Sequence, residues 1–277
     1  ERQHADLLTS AASLADVAVV YSQATKFLYN TSRQTSLKQR HAGRPDSHLW
    51  DYVWEFSGWC ETLAEKQIPF DVLLDEDLED KDLSRYRLII LPNTAVMSSH
   101  RVEALKAYIK QGGHVIATAD TSRLDETGRQ RPAAALADVM NVPAEQSSDA
   151  SVIHHTYGKG RSVYIPGLLG MKNRFPGDYT RSSMFQDGRS LETGQRILEL
   201  INDLRSDTSL WQVHDAPQGV IVNAFQKKNR VMIHLLNATG GRLASGDSIT
   251  SPQHVKYPSI AQQNEGREIR IVLTGRD

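Results

Sequence analysis

Tyr86-Arg-Leu-Ile-Ile-Leu-Pro92 sets four consecutive apolar residues against a proline. A short unbroken run of Ile and Leu fits a strand buried on both faces, and Pro92 ends it because proline has no N–H to give a sheet ladder. A strand covered on both sides needs helices above and below it, which confines the chain to a layered α/β architecture. The surrounding sequence agrees. Ala15 to Ser22, Ile68 to Leu74 and His114 to Asp120 read as further strands. Between Ser47 and Gln67, residues Leu49, Trp50, Val53, Trp54, Phe56, Cys60, Leu63 and Ala64 form a broad apolar stripe at helical spacing. A second helix is capped by Ser98 or Ser99, faces Val102, Leu105, Tyr108 and Ile109 inward, and stops at Gly112-Gly113. This repeated strand–helix–strand order predicts right-handed crossovers and a doubly wound parallel sheet.

The connections are less regular. Residues 23–46 are polar and form a long insertion after the first strand. The acidic stretch Asp75 to Asp82 reads as a solvated connection, and Ala133 to Met140 as a short helix. Ala150 to Tyr157 and Arg161 to Ile165 flank Gly158-Lys-Gly160, the pattern of a hairpin with a turn of about three residues. Residues 167–189 read as a loop and Glu192 to Leu204 as an amphipathic helix. Beyond that the helices stop. Val220 to Phe225, Val231 to Leu236 and Ile269 to Leu273 are strands, with a hairpin turn at Lys227 to Arg230. The expected organisation is an α/β domain over 1–205 followed by a small antiparallel β domain over 206–277.

At roughly 150 residues per domain, 277 residues allow one large or two smaller domains. The 32 basic and 33 acidic residues give no global field that would favour nucleic acid or an anionic membrane. A single cysteine excludes an internal disulfide and leaves the compartment open. No apolar run approaches the ~20 residues of a membrane span. The sequence begins Glu1-Arg-Gln-His without an initiator methionine or a signal-peptide core, which reads as an excised fragment.

Three stretches carry a family resemblance. Tyr86 to Asn93, Glu103 to Thr118 and Leu124 to Arg129 together resemble the trimerisation domain of family 42 β-galactosidases. Tyr157 to Gly167 is similar to a hairpin late in that domain, and Arg230 to Thr239 to the β domain that follows it. The resemblance implies a flavodoxin-like fold of the class I glutamine amidotransferase type, without the amidotransferase active site. In that family a catalytic TIM barrel precedes the domain, so its two carboxylates have no counterpart in this sequence. The implied partners are a missing barrel domain and further copies of the chain.

The residues themselves point the same way. Amidotransferases of this fold place a cysteine on a tight elbow after a central strand. Here that elbow reads Pro92-Asn-Thr-Ala95, and Cys60 lies inside a helix, where a small buried apolar role fits it. Paired carboxylates are the chemistry of glycoside hydrolysis. Asp125-Glu126 and Asp75-Glu-Asp77 supply the residue type only, and Asp125 fits a turn cap ahead of Gly128. His154 and His155 point to opposite faces of a strand, and the ten histidines show no metal-ligand spacing. The expectation is no catalytic residue, no cofactor and no metal.

Two groups remain as ligand or interface candidates. In open α/β sheets ligands sit beyond the carboxyl ends of strands, where Ser22, Asn93, Thr94, Asp120, Thr121 and Arg123 fall. Trp50 and Trp54 share one helix face and suit a subunit interface, and Trp54 and Trp59 lie on roughly opposite sides of the helix, so one of the two faces elsewhere. The expected role is therefore a non-catalytic oligomerisation and support region of a β-galactosidase-like glycoside hydrolase, assembling as a homo-oligomer. A stand-alone divergent hydrolase or amidotransferase-like enzyme is the rival. A carbohydrate-binding module is the third reading.

Overall fold

A computed structural model describes residues 9–29, 48–142, 151–174, 191–205, 211–214, 220–237 and 270–273. Its centre is a six-stranded sheet. The strands are β2 (Val17–Tyr21), β3 (Phe70–Leu74), β4 (Leu88–Leu91), β5 (His114–Thr118), β6 (Ile153–Tyr157) and β7 (Gly160–Ile165), in the order β3-β2-β4-β5-β7-β6. All neighbours are parallel except β6, which pairs antiparallel with β7.

Strand β4 shows why the sheet needs two helical layers. Alternate residues of a strand face opposite sides. Leu88 and Ile90 join one core cluster, Ile89 and Leu91 the other, and all four are fully buried. The first layer consists of α1 (His48–Glu65), α5 (Leu169–Arg174) and α6 (Leu191–Arg205). It contributes Trp59 and Leu63 from α1, Leu169 from α5, and Ile197, Ile201 and Leu204 from α6. The second layer is α3 (Ser99–Gln111) with the single turns α2 (Asp77–Asp80) and α4 (Ala137–Met140). The inward face of α3 is Val102, Leu105, Tyr108 and Ile109, as its spacing predicts. Ser98 caps α3 by accepting the Arg101 N–H at 3.2 Å, and Gly112 ends it at a φ of 121°.

The structure departs from the sequence reading at four places. Asp75 is not part of a solvated connection. It is 3% exposed and paired with Arg101, while Asp77–Asp80 forms the turn α2. The β6–β7 turn has two residues, since Tyr157 pairs with Gly160. Gly158 takes the left-handed conformation such a turn requires (φ 62°). Residues 169–174 are helical although Gly-rich surroundings predict a loop. Finally, two strands carry too little pattern to be seen in the sequence. One is the two-residue β1 (Ala12–Ser13), the other β8 (Trp211–His214).

A second sheet has the order β1-β9-β10, with β9 (Val220–Lys227) and β10 (Arg230–Asn237) joined by a two-residue turn at Lys228-Asn229. Strand β8 pairs antiparallel with β11 (Arg270–Leu273). The chain segment just before β2 thus adds an edge to a sheet made from residues two hundred positions later. Ala12 faces Gln226, and the Leu14 N–H donates to the Ala224 carbonyl at 2.9 Å. Among the described residues, no helix is long and apolar enough to cross a membrane.

Candidate functional site

Strand β2 lies between β3 and β4, so the order of the parallel strands reverses at the β2–β4 junction. That junction is where a crevice opens beyond the strand ends. Ser22 follows β2 there, and its hydroxyl makes two hydrogen bonds. It donates to Asp75 Oδ2 (2.9 Å), it accepts the Thr25 N–H (3.0 Å), and so it caps the π-helical turn Thr25–Tyr29. The Ser22 N–H donates to the Tyr52 hydroxyl of α1. Asp75, at the end of β3, also accepts the Ala24 N–H (3.3 Å) and pairs with Arg101 Nη1 (3.3 Å); Arg101 Nε reaches Glu79 Oε1 at 2.9 Å.

The second cluster forms on the elbow after β4 and the turn after β5. Asn93 takes a left-handed φ of 45° and is fully buried. Its N–H donates to Thr118 Oγ1 (2.8 Å), and its Oδ1 accepts the Asp120 N–H (3.0 Å). The Thr121 hydroxyl donates to the carbonyls of Thr118 (2.7 Å) and Leu91 (3.2 Å). The Tyr29 hydroxyl donates to Asp120 Oδ2 at 2.8 Å. The Arg123 N–H donates to the Asp120 carbonyl (3.0 Å), and the Ser122 N–H to the Thr94 carbonyl (2.9 Å). Ser22, Asn93, Thr94, Asp120 and Thr121 are all buried. These contacts are mostly loop-to-loop ties. The elbow that would carry a nucleophile holds an amide side chain.

Four participants escape a reading of the sequence alone. Asp75 and Tyr29 lie in stretches that look solvated or irregular, and Thr118 closes an ordinary strand. Glu55 is the least expected, since it sits in the apolar stripe of α1 yet is 0% exposed. Its Oε1 accepts the Trp59 indole N–H (2.8 Å) and its Oε2 the Met171 N–H (2.8 Å) at the start of α5. Burial raises its pKa above the ordinary carboxylate value, opposed by the hydrogen bonds from Met171, Trp59, Thr118 and Gly170. The only advance signal for this site is the i,i+4 spacing of Glu55 and Trp59.

The remaining candidates separate. Trp54 is half-buried on α1 and Trp59 fully buried, while the side chain of Trp50 lies outside the described residues. Cys60 packs beside the α1 core, and burial pushes its thiol up to about 12. Asp125 caps its own turn. Its Oδ1 accepts from the Thr127 hydroxyl (2.7 Å), the Thr127 N–H and the Arg129 N–H, which hold its carboxyl below the usual range.

The structure is thus an α/β sheet with Asn93 and Thr94 on the elbow after β4, followed in the chain by a small β sheet. Residues 15–148 match the family described as the β-galactosidase trimerisation domain. No curated protein matches the chain. Among solved structures, the β-galactosidase from Bacillus circulans sp. alkalophilus superimposes with a TM-score of 0.56 at 17% identity, over 85% of this chain and 37% of that one. A catalytic mutant of a GH42 β-galactosidase from G. stearothermophilus gives 0.56 and 17%, over 82% of this chain and 35% of that one. The α-L-fucosidase isoenzyme 2 from Paenibacillus thiaminolyticus gives 0.52 and 19%, over 88% and 41%. At such identities the likeness speaks for the fold. The chain spans well under half the length of each of these structures.

Proposed function

We propose that this chain is the non-catalytic oligomerisation and support region of a β-galactosidase-like glycoside hydrolase, with a flavodoxin-like, amidotransferase-type first domain. The observation that carries the reading is the trimerisation-domain match of residues 15–148 over a sheet whose elbow residue is Asn93. Counting only the parallel strands in chain order, the sheet runs second-first-third-fourth-fifth, the order of flavodoxin-like folds. The carboxyl-edge side chains support the same reading. Ser22, Asp75, Asn93, Thr118, Asp120 and Thr121 direct most of their hydrogen bonds to one another, to main chain and to Tyr29 and Arg101, which ties the edge together more than it prepares a proton transfer. Partners would be further copies of the chain and a catalytic barrel, with Trp54 of α1 and the neighbouring Trp50 as interface candidates. The α/β domain would occupy 1–205 and the β domain 206–277. Likeness to both galactosidases and a fucosidase leaves the choice of sugar to the barrel.

The purified chain, incubated with aryl galactosides and with glutamine, is expected to turn over neither. Turnover that survives purification and disappears in Thr94→Ala or Asp125→Asn would contradict this function and favour a stand-alone enzyme.

A further inference from the structure

Three polar atoms on the carboxyl edge are buried without a hydrogen-bond partner: Asn93 Nδ2, Thr94 Oγ1 and Arg123 Nη1. Asn93 and Thr94 are 0% and 1% exposed. Their turns lie side by side. The Ser122 N–H donates to the Thr94 carbonyl and the Leu124 N–H to the Ala95 carbonyl, both at 2.9 Å. The backbone here is left-handed at Asn93, Ala119 and Ser122 (φ 45°, 48° and 61°), none of them glycine. Strained backbone and orphaned donors persist together only where the surroundings over-determine them, and each orphan calls for a specific cause.

The chemistry of the orphans selects a ligand. Asn93 Nδ2 and Arg123 Nη1 can only donate, and the Thr94 hydroxyl can turn to donate. The carboxylates described on this edge are already engaged. Asp75 Oδ2 receives Ser22 Oγ and Arg101 Nη1, and Asp120 Oδ2 receives the Tyr29 hydroxyl. A sugar hydroxyl must donate as well as accept, so it fits such a site worse than a group that only accepts. The Arg123 guanidinium adds a positive charge that enters no ion pair among the described residues. We infer that this corner binds a carboxylate, whose oxygens take hydrogen bonds from Asn93 Nδ2, Thr94 Oγ1 and Arg123 Nη1. The carboxylate has two sources, a small free acid or an acidic side chain of a second copy of the chain. The site rests on these three unpartnered atoms on adjoining turns, and only its second-copy source depends on the oligomerisation reading.

The test is thermal unfolding and sedimentation of the full chain in acetate, against chloride at matched ionic strength. With a free acid as ligand, acetate raises Tm saturably by about 2–4 °C over chloride and leaves sedimentation unchanged. With an acidic side chain of a second copy as ligand, acetate competes and lowers the sedimentation coefficient, and Arg123→Met does the same without acetate. In either case Thr94→Val and Arg123→Met abolish the acetate effect. Thr94→Val is nearly isosteric and keeps the test valid if Arg123→Met fails to fold. The site is overturned if acetate changes neither Tm nor sedimentation relative to chloride, or if its effects survive in Thr94→Val. A chain that is monomeric in every buffer, yet retains the acetate shift in Tm, refutes oligomerisation and leaves the carboxylate site standing.

Discussion

Gly58 of α1 and Gly170 of α5 touch main chain to main chain: a Cβ on Gly58 would lie 2.0 Å from the Gly170 carbonyl oxygen. A Cβ on Gly170 would lie 2.5 Å from the Glu55 carbonyl and 2.7 Å from Trp59 Cδ1. Two effects compete in Gly58→Ala. Helix propensity favours alanine by about 1 kcal/mol, but backbone cannot rotate away as a side chain does, and overpacking costs about 1–3 kcal/mol or more. Overpacking wins, and denaturant unfolding should show Gly58→Ala and Gly170→Ala destabilised by about 2 kcal/mol. Gly167→Ala, where the new methyl meets nothing within 4 Å, should stay within about 0.5 kcal/mol of the parent. A Gly58→Ala chain as stable as the parent would mean the helices are not packed this closely.

Glu55 fixes the same crossing by a second means, and it titrates. Burial raises its folded-state pKa above that of the unfolded chain. The fold therefore takes up a proton as the pH falls. Its contribution is fully present below the unfolded carboxylate pKa, about 4.3, and is lost as pH rises through the folded value. Glu55→Gln removes this dependence. The stability of the parent relative to Glu55→Gln should be highest below about pH 4 and fall as the pH rises above it in paired denaturant titrations. A relative stability that climbs with pH would show that the hydrogen bonds from Met171 and Trp59 outweigh desolvation.

Asp75 joins the ends of β2 and β3 to α3 through Ser22, Ala24 and Arg101. Its carboxylate is nearly inaccessible, so its loss leaves the Ser22 hydroxyl without its acceptor and Arg101 with Glu79 alone. Asp75→Ala should lose about 3 kcal/mol, in the range for removing one partner of a buried ion pair. Asp71→Ala is the comparison. Its bridge to Arg85 is partly exposed, and its loss should cost about 1 kcal/mol or less. Equal effects of the two substitutions would rule out a special role for Asp75.

Thr94→Val tests the orphaned hydroxyl directly. In buffer free of carboxylates, replacing a buried, unpartnered hydroxyl by a methyl removes a desolvation cost of about 1 kcal/mol, so the variant should be more stable than the parent. Destabilisation by a similar amount would show that an ordered water already satisfies Thr94.

The layered fold is legible in the sequence because its signals are local. Leu88–Leu91 is apolar throughout, and the stripe Val102, Leu105, Tyr108, Ile109 repeats at helical spacing. The carboxyl edge is half legible. The topological rule selects Ser22, Asn93 and Asp120, and the structure ties each into the edge. It could not select Glu55, whose partner Met171 is over a hundred residues away, or Asp75, whose acidic neighbours imitate a solvated loop. Strand β1 was invisible for a related reason, since two residues carry no period and only the partner Phe225–Gln226 makes them a strand.

Sedimentation equilibrium of the full chain bears most directly on its proposed role. The chain should associate reversibly into an assembly of several copies of the 30.9 kDa protomer, while aryl galactosides remain uncleaved. A single species at the protomer mass up to the highest attainable concentration would contradict the account.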